Sequence, residues 1–396
     1  MRLVRGRFSD FLIVLILVAV VSGVSWALVN NPLGFSRLLF FVQVPFSQFS
    51  ISCSNDSPEW LKSVQKKGSV ALKALSGQVA YIEPEGQLHH CEMGWKYGFW
   101  SGRAVSDVDR YRYASVTKVV TSIAILDLIN RGKLSLDSEL TEILGLEGNF
   151  FDPRVEKITV QDLLTHRAGW DREKTQDLMF MAKKKPWCPS MPHKIRDTSL
   201  QFDPGSNVSY SNLGYCLLGL VVEAVTEQEF RAYIAGKFDF KSKLFRFIDG
   251  PFYEDEVTYD MRHENFFTNN YISLFDFYSL SSSVGLSGNA SELAILVKES
   301  LEWSPLNILK GGSAERCDKA ELQECYGFGL YKFQAQPESI PLFIQGGKLP
   351  GTTSAVIVDK KGGVFIWLGA GAPNDGGESL KQFYSFVAES LTEFYD

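Results

Sequence analysis

The sequence predicts an α+β fold, in which an antiparallel β-sheet flanked by helices faces a mainly helical lobe. Strand patterns lie near both ends of the globular part, and helical patterns lie between them. Gly77 to Met93 indicates two strands around a turn, and Ser354 to Val358 with Val364 to Leu368 indicates a hairpin. An apolar run from Phe11 to Val29 precedes this domain and predicts an N-terminal transmembrane or signal helix.

The N-terminal run has the length and the flanking charges of a membrane anchor. Arg2, Arg5 and Arg7 precede it and are expected to stay in the cytoplasm. We predict a signal anchor at residues 1–30, a juxtamembrane linker at 31–56 and an exported globular domain at 57–396, whose helical lobe covers approximately 120–310. A cleaved signal peptide, which leaves the domain secreted, is the alternative. Either way the domain is predicted to be periplasmic or extracellular.

The composition is that of a globular protein that does not bind nucleic acid. The 396 residues are 45% hydrophobic and 22% charged, which allows a large core in one domain or in two lobes. The formal net charge of -6 argues against nucleic acid as a partner. The membrane, contacted through the N-terminal run, is a predicted partner.

The six cysteines fit an exported location, where disulfides persist. Cys317 and Cys325 are close enough in the chain to staple one loop, but the sequence cannot choose among the possible pairings. No Cys-x-x-Cys occurs, and His89-His90-Cys91 has no second cluster at metal-ligand spacing. We therefore predict neither a metal site nor a cofactor.

Apolar periodicity and capping signals predict the helices. One helix begins near Ser115, continues through the apolar run from Val119 to Ile129 and stops at Arg131-Gly132. The polar, aromatic and proline-dotted stretch from Gly169 to Pro204 predicts a long ordered loop near a cleft. The remaining helices are predicted over Pro58 to Leu75, from Thr159, and over Asn212 to Thr226, Glu227 to Ala235, Ala290 to Leu301 and Leu380 to Phe394.

The helix at Ser115 opens with a candidate nucleophile and base, in the pattern Ser115-Val116-Thr117-Lys118. A serine and a lysine at this spacing lie one turn apart on one helix face. Near a helix N-terminus the macrodipole stabilises a developing oxyanion. The pattern alone is weak, because Ser63-Val64-Gln65-Lys66 repeats it in a hydrophilic helix.

Two further motifs follow in the chain and support a catalytic role for Ser115 and Lys118. Tyr210-Ser211-Asn212 is preceded by Asp203-Pro204-Gly205. A glycine-rich run, Gln345-Gly346-Gly347-Lys348, lies beside the C-terminal hairpin and continues into Leu349-Pro350-Gly351-Thr352. The three motifs, in this order, resemble those of exported serine hydrolases of the class C β-lactamase and D,D-peptidase type, which have the penicillin-recognising fold. The resemblance runs from about Gly77 to the C-terminus, and it implies that residues 57–396 form a β-lactamase-like serine hydrolase domain.

The resemblance also implies a role for each residue of the motifs. Ser115 would be the nucleophile that forms an acyl-enzyme, and Lys118 and Tyr210 would share the proton transfers. Asn212 would hold Lys118 and the acyl amide of the substrate. The backbone amides of Ser115 and Lys348 would form the oxyanion hole, next to Gly347. The substrate would be a small-molecule or peptide-like ester or amide, as for an esterase, a D-amino-acid amidase or a peptidase.

The third motif departs from the family pattern at Gln345, where His or Lys is usual. Glutamine can donate a hydrogen bond but carries no charge, so neutral substrates fit this position better than free carboxylates. Lys348 is expected to point the other way, because side chains alternate along a strand. The departure keeps a second interpretation open, a binding or sensor protein for cell-wall fragments that has the fold with weakened catalysis. His166 lies in a phrase that looks structural in this family, and we expect it to pack or to form hydrogen bonds.

Overall fold

The computed structural model describes residues 3–30, 43–96, 102–171, 174, 177–181, 183–257, 275–303, 305–311, 325–373 and 375–396. Ten strands form two sheets in this part of the chain, one of seven strands and one of three. Helices flank the large sheet, as expected for the α+β class. The predicted fold class is confirmed.

The large sheet is antiparallel and joins the two ends of the domain. Its order is β1-β3-β2-β10-β9-β8-β7, so the N-terminal hairpin β2/β3 lies directly beside the C-terminal hairpin β9/β10. Both hairpins were predicted from the sequence. The strands are β1 (Ser52–Cys53), β2 (Ser76–Ile82), β3 (Leu88–Gly94), β7 (Tyr331–Phe333), β8 (Leu342–Leu349), β9 (Thr352–Asp359) and β10 (Val364–Gly369).

The small sheet has the order β4-β6-β5 and lies next to the predicted nucleophile. Its strands are β4 (Tyr111–Arg112), β5 (Arg246–Phe247) and β6 (Leu286–Gly288). A buried ion pair between Arg112 and Glu256, 3.2 Å long, stabilises this region. Strand β4 ends two residues before Ala114, so the small sheet determines where the segment with Ser115 begins.

The predicted helices are present, but several bounds differ. The helix predicted from Ser115 begins at Thr117, and the one predicted to reach Leu75 ends at Ala71. Asn212–Thr226 forms as predicted, but Glu227 adopts a left-handed conformation (φ 56°) and caps that helix, so the next one begins at Phe230. The helices are α1 (Leu3–Asn30), α2 (Glu59–Ala71), α3 (Thr117–Asn130), α4 (Leu140–Ile143), α5 (Val160–Leu164), α6 (Asn212–Thr226), α7 (Phe230–Lys237), α8 (Ala290–Glu302) and α9 (Glu378–Tyr395).

The two faces of the large sheet pack against different layers. Val79 and Trp367 pack with side chains of α2 and α9, whereas their neighbours Ala80 and Ile366 pack with α8 and the helical lobe. This division follows from the strand geometry, since successive side chains point to opposite faces. The central strands β9 and β10 are buried on both faces.

The N-terminal helix α1 lies outside the core. Its segment Asp10–Asn30 has a mean hydropathy of 2.8 and none of it is buried. It is long and apolar enough to cross a bilayer, although a signal sequence has the same properties. Residues 31–42 of the predicted linker lie outside the described residues. Residues 43–50 are helical and pack on the domain, and β1 pairs with β3.

Between described residues, two disulfides connect distant parts of the chain. Cys53–Cys91 joins β1 to β3, and Cys188–Cys216 joins the long loop to α6. The predicted Cys317–Cys325 staple lies outside the described residues, because Cys317 is not among them. Disulfides are typical of proteins outside the cytosol.

Candidate active site

Ser115 lies in a tight turn that the sheets hold in place. A 3₁₀ turn, Ala114–Val116, leads directly into α3, and Ala114 has a left-handed backbone (φ 49°) that costs a non-glycine residue about 1–3 kcal/mol. The hydroxyl of Ser354 donates to the carbonyl of Tyr113 at 2.5 Å, and the amide of Tyr113 donates to Leu286 at 2.8 Å. Strands β9 and β6 thus hold the turn in this conformation, with Ser115 half-buried.

Lys118 is fully buried, and its ammonium group lies against Ser115. Nζ is 3.4 Å from the Oγ of Ser115, 2.7 Å from the Oδ1 of Asn212 and 3.0 Å from the carbonyl oxygen of Ser283. The one-turn spacing predicted from the sequence brings the two side chains together. Nζ also lies 4.8 Å from the centre of the Tyr210 ring. A buried amine is therefore directed at the candidate nucleophile.

Asn212 begins α6 and connects Lys118 to a carboxylate. Its Nδ2 donates to Oδ2 of Asp177 at 2.7 Å, while its Oδ1 accepts from Lys118. The amide of Met179 donates to the other carboxylate oxygen of Asp177 at 3.1 Å. This chain of hydrogen bonds determines which end of the amide faces Lys118. The sequence showed Asn212 but not Asp177, which is one acidic residue among several in the long loop.

His166 holds the second motif in position. Its Nδ1 accepts a 3.1 Å hydrogen bond from the backbone amide of Ser211, and its carbonyl oxygen accepts one of 2.8 Å from Ser209. Its ring centre lies 4.4 Å from that of Tyr210. Acceptance at Nδ1 assigns the ring proton to Nε2. His166 thus packs and forms hydrogen bonds, as expected from the sequence.

The third motif lies on an open stretch of strand β8. Strand β7 pairs with β8 over Leu342–Ile344, and within the described residues no strand covers that edge beyond Ile344. Gly347 lies on the open stretch, so close to the turn that a Cβ on it would be 3.1 Å from the amide nitrogen of Ser115 and 2.5 Å from the carbonyl oxygen of Tyr113. This close approach requires glycine.

The side chain of Gln345 forms its hydrogen bonds inside the protein. It is 3% exposed, its Oε1 accepts from the hydroxyl of Tyr326, and its Nε2 donates to the carbonyl oxygen of Gly346 at 2.6 Å. Burial raises the pKa of Tyr326 well above its usual value, so this hydroxyl remains a donor. Tyr326 also packs edge-on against His166, with ring centres 4.5 Å apart. Sequence reasoning missed Tyr326, although it precedes β7 in a glycine-rich phrase.

Lys348 is exposed and turns away from the cleft. Its Nζ donates to the carbonyl oxygen of Pro373 at 2.6 Å, on the side opposite to Gly347. The second Ser-x-x-Lys copy, Ser63 and Lys66, lies on the exposed face of α2. Among the described residues, no group of three or more His, Cys, Asp and Glu could hold a metal ion. The site therefore combines a hydroxyl, a buried amine, a phenol and two approaching backbone segments.

The chain is similar in sequence to known proteins. The Beta-lactamase family model matches residues 73–368. A protein of Dichelobacter nodosus with the name "Putative fimbrial assembly protein FimD, serogroup D" is 35% identical over 390 residues, which is 98% of each chain. Protein flp of Staphylococcus aureus (strain NCTC 8325 / PS 47) is 31% identical over 129 residues, which cover 33% of this chain and 26% of that one.

Solved structures show the same fold at low identity. The D-amino acid amidase from Ochrobactrum anthropi SV3, complexed with L-phenylalanine amide, superposes with a TM-score of 0.66 at 17% identity, over 86% of this chain and all of that chain (100%). The beta-lactamase/D-alanine carboxypeptidase from Yersinia pestis, complexed with citrate, superposes with a TM-score of 0.63 at 14% identity, over 84% and 98% of the two chains. These similarities concern the fold alone.

Proposed function

The chain belongs to the beta-lactamase family, and from this we propose that it is an exported, membrane-anchored serine hydrolase that acts on ester or amide substrates through an acyl-enzyme. The observation that carries the proposal is the position of Lys118, whose Nζ lies 3.4 Å from the Oγ of Ser115. Members of this family are generally serine hydrolases. The apolar helix α1 and the two disulfides support export and anchoring.

The reaction begins with attack of Ser115 Oγ on the carbonyl carbon of the substrate. Lys118 in its neutral form, or Tyr210 as a phenolate, takes the hydroxyl proton. The amides of Ser115 and Lys348 stabilise the oxyanion, and each such donor contributes about 3–4 kcal/mol to transition-state stabilisation. Tyr210 returns a proton to the leaving alcohol or amine as that bond breaks. Water then attacks the acyl-enzyme and releases the acid, and Ser115 recovers its proton.

The substrate is proposed to be neutral at the position next to Gln345. This side chain has no charge, is buried, and already forms hydrogen bonds with Tyr326 and Gly346. Gln345 offers no positive charge to a free carboxylate, and the side chain of Lys348 points away from the cleft. Neutral amides and esters, such as amino-acid amides, avoid the cost of placing an unpaired charge there.

Labelling with a fluorophosphonate probe tests the nucleophile. We expect the wild-type protein to be labelled and S115A not to be. S63A, which alters the second copy of the same motif on the exposed face of α2, is the matched control and should be labelled like the wild type. K118M should lose hydrolysis of p-nitrophenyl esters. Equal labelling of wild type and S115A would refute the acyl-enzyme.

A second candidate function is a binding protein that has the fold with little turnover. Gln345 in the third motif favours it, and the fimbrial assembly name of the relative in Dichelobacter nodosus offers a process in which such a protein could act. A deletion strain of the host separates the two functions. If the deletion strain lacks surface fimbriae and the S115A gene restores them fully, the binding role is favoured. If only the wild-type gene restores the fimbriae, hydrolysis is needed.

A further inference from the structure

The described domain carries an exposed patch of aromatic, basic and aliphatic side chains, part of which follows the N-terminal helix closely in the sequence. We call it the lysine-aromatic face and define it by Phe46, Phe49, Lys66, Lys67 and Val70. Phe49 is 86% exposed, and Phe46 and Val70 are about half exposed, at 50% and 52%. The two lysines are exposed as well. A single exposed apolar residue is ordinary, but a contiguous group indicates a contact surface.

Two chain segments form this face together. Gln48, which lies between the two phenylalanines, donates to the carbonyl oxygen of Lys66 at 3.4 Å, and this contact places residues 46–49 against helix α2. The rings of Phe46 and Phe49 lie 6.1 Å apart. Lys66, Lys67 and Val70 are on the solvent-facing side of α2, whereas Leu61 and Val64 on its other side are fully buried. The face is therefore part of the packed domain.

The lysine-aromatic face is strongly basic. Helix α2 carries three lysines, Lys62, Lys66 and Lys67, and one acid, Glu59. Exposed Lys73 follows the helix directly. None of these four lysines forms an ion pair with a carboxylate among the described residues. Lys67 Nζ lies over the ring of Phe386, 3.7 Å from its centre, a contact that leaves the positive charge without a counter-ion. The charges of these lysines are therefore available to a negatively charged partner.

The position of the face in the chain identifies that partner. Helix α1 ends at Asn30, and the packed segment begins at residue 43. Twelve intervening residues reach at most about 43 Å when extended. Strand β1 and the Cys53–Cys91 disulfide then pin the chain to the edge of the sheet. If α1 crosses the membrane, this face is the part of the domain whose tether to the bilayer is shortest.

We propose that the lysine-aromatic face docks on the bilayer surface, with Phe46 and Phe49 at the level of the lipid headgroups and the lysines on anionic phosphates. Phenylalanine on the apolar side of an interfacial segment inserts at the boundary between headgroups and acyl chains, and each lysine near an anionic surface strengthens binding about fivefold. The proposal rests on the membrane-anchoring part of the proposed function and is independent of hydrolysis.

Docking through this face directs the catalytic site away from the membrane. Side chains alternate along β8, and a Cβ on Gly346 would lie 2.5 Å from the hydroxyl of Tyr384 on α9, whereas one on Gly347 would lie against the Ser115 turn. Helices α9 and α2 share one packed layer. The Ser115 turn is therefore on the opposite face of the sheet from α2, and the site is open to substrates from the aqueous compartment.

Photo-crosslinking in vesicles tests the docking. Full-length protein is reconstituted into phosphatidylcholine vesicles containing phosphatidylglycerol and a trace of photoactivatable phospholipid, and adducts are mapped by mass spectrometry. We expect adducts in α1 and in the peptides that carry residues 43–50 and 66–70, and none in α6. Adducts in α1 without adducts in these two peptides would overturn the docking face but keep the anchor. A lack of adducts in α1 would overturn the anchor as well, and neither result bears on Ser115.

A variant with an altered face provides a second, independent measurement. In F49S/K66E/K67E we expect the adducts in residues 43–50 to fall at least about fivefold on anionic vesicles, with α1 labelled as before. F151S is the matched control, because Phe151 is 79% exposed in the helical lobe and should not affect lipid adducts. Both variants should retain the fluorophosphonate labelling of Ser115, which verifies folding. Unchanged adducts in the triple variant would overturn the proposal.

Discussion

Asp177 accepts a 2.7 Å hydrogen bond from Nδ2 of Asn212, and Asn212 presents its Oδ1 to the ammonium of Lys118. The terminal amide of an asparagine can rotate by about 180°, which exchanges the positions of its oxygen and nitrogen. The rotated amide would place its N–H donors against Lys118. Asp177 prevents this exchange, because a carboxylate only accepts hydrogen bonds. A loop residue thereby controls the environment of the candidate base.

Removing the carboxylate of Asp177 should slow catalysis. In D177A we expect kcat on a p-nitrophenyl ester to fall about 10- to 100-fold, since hydrogen bonds that involve a charged group contribute about 1.5–3 kcal/mol. D197A removes an exposed carboxylate of the same loop and should leave kcat unchanged. A kcat for D177A equal to the wild-type value would show that Asn212 keeps its orientation without this partner.

Substitution of Gly347 should destroy the site geometry. A Cβ there would lie 2.2 Å from the Oγ of Ser354 and 2.5 Å from the carbonyl oxygen of Tyr113, so β8 or the Ser115 turn has to move. We expect G347A to lose more than about 100-fold in kcat/KM, since small displacements of reacting groups cost this much, and to melt at a lower temperature.

The control for this change is G236A. A Cβ on Gly236 meets no atom within 4 Å, and the residue lies in helix α7. Alanine is favoured over glycine in a helix by about 1 kcal/mol, so the melting temperature should stay the same or rise. Activity of G347A at the level of G236A would contradict the close approach of β8 to Ser115.

His166 should act on the position of Tyr210 through the backbone. In H166F the buried amide of Ser211 loses its hydrogen-bond acceptor, and this lowers the free energy of unfolding by about 1–3 kcal/mol. The backbone beside Tyr210 is then no longer held, so the position of its ring changes. H166N retains a side-chain acceptor, and we expect it to recover part of the activity and stability. The measurements are urea unfolding and ester hydrolysis. If H166F keeps full activity, the histidine does not position Tyr210.

The stability of the helical lobe should fall in acid through Asp152. Hydrogen bonds from Arg154 hold the pKa of Asp152 well below its usual range. Because the folded-state pKa is depressed, the carboxylate stabilises the protein above its unfolded pKa of about 4, and this contribution is lost as the pH falls toward the folded pKa. Asp152 also accepts from the amide of Leu200 at 2.9 Å, so it anchors the long loop.

The variant D152N tests this contribution. We expect its free energy of unfolding to be lower than that of the wild type at pH 7 and the difference to shrink at pH 3, measured by urea unfolding. D137N changes an exposed carboxylate of the helical lobe and should follow the wild type at both pH values. A difference that stays constant between pH 7 and pH 3 would show that the ionisation of Asp152 does not contribute.

Much of the fold could be predicted from local patterns. The hairpins at β2/β3 and β9/β10, helix α6 and the capped start of α5 at Thr159 all appear in the sequence as alternation, turn residues or capping signals. The sequence predicts a helix from Glu227, but this residue caps α6 in a left-handed conformation instead. The division into anchor, linker and domain stays a prediction.

The sequence by itself determined the order of the three motifs and the one-turn spacing of Ser115 and Lys118, because helical geometry depends on spacing along the chain. Only the tertiary structure decided three contacts. Asp177 orients Asn212, the hydroxyl of Tyr326 donates a hydrogen bond to Gln345, and Gly347 lies close to the Ser115 amide. These contacts join residues far apart in the chain, and sequence spacing does not determine which of them meet. Strand β8 and the long loop pack around α3, and this packing brings the contacting residues together around Ser115.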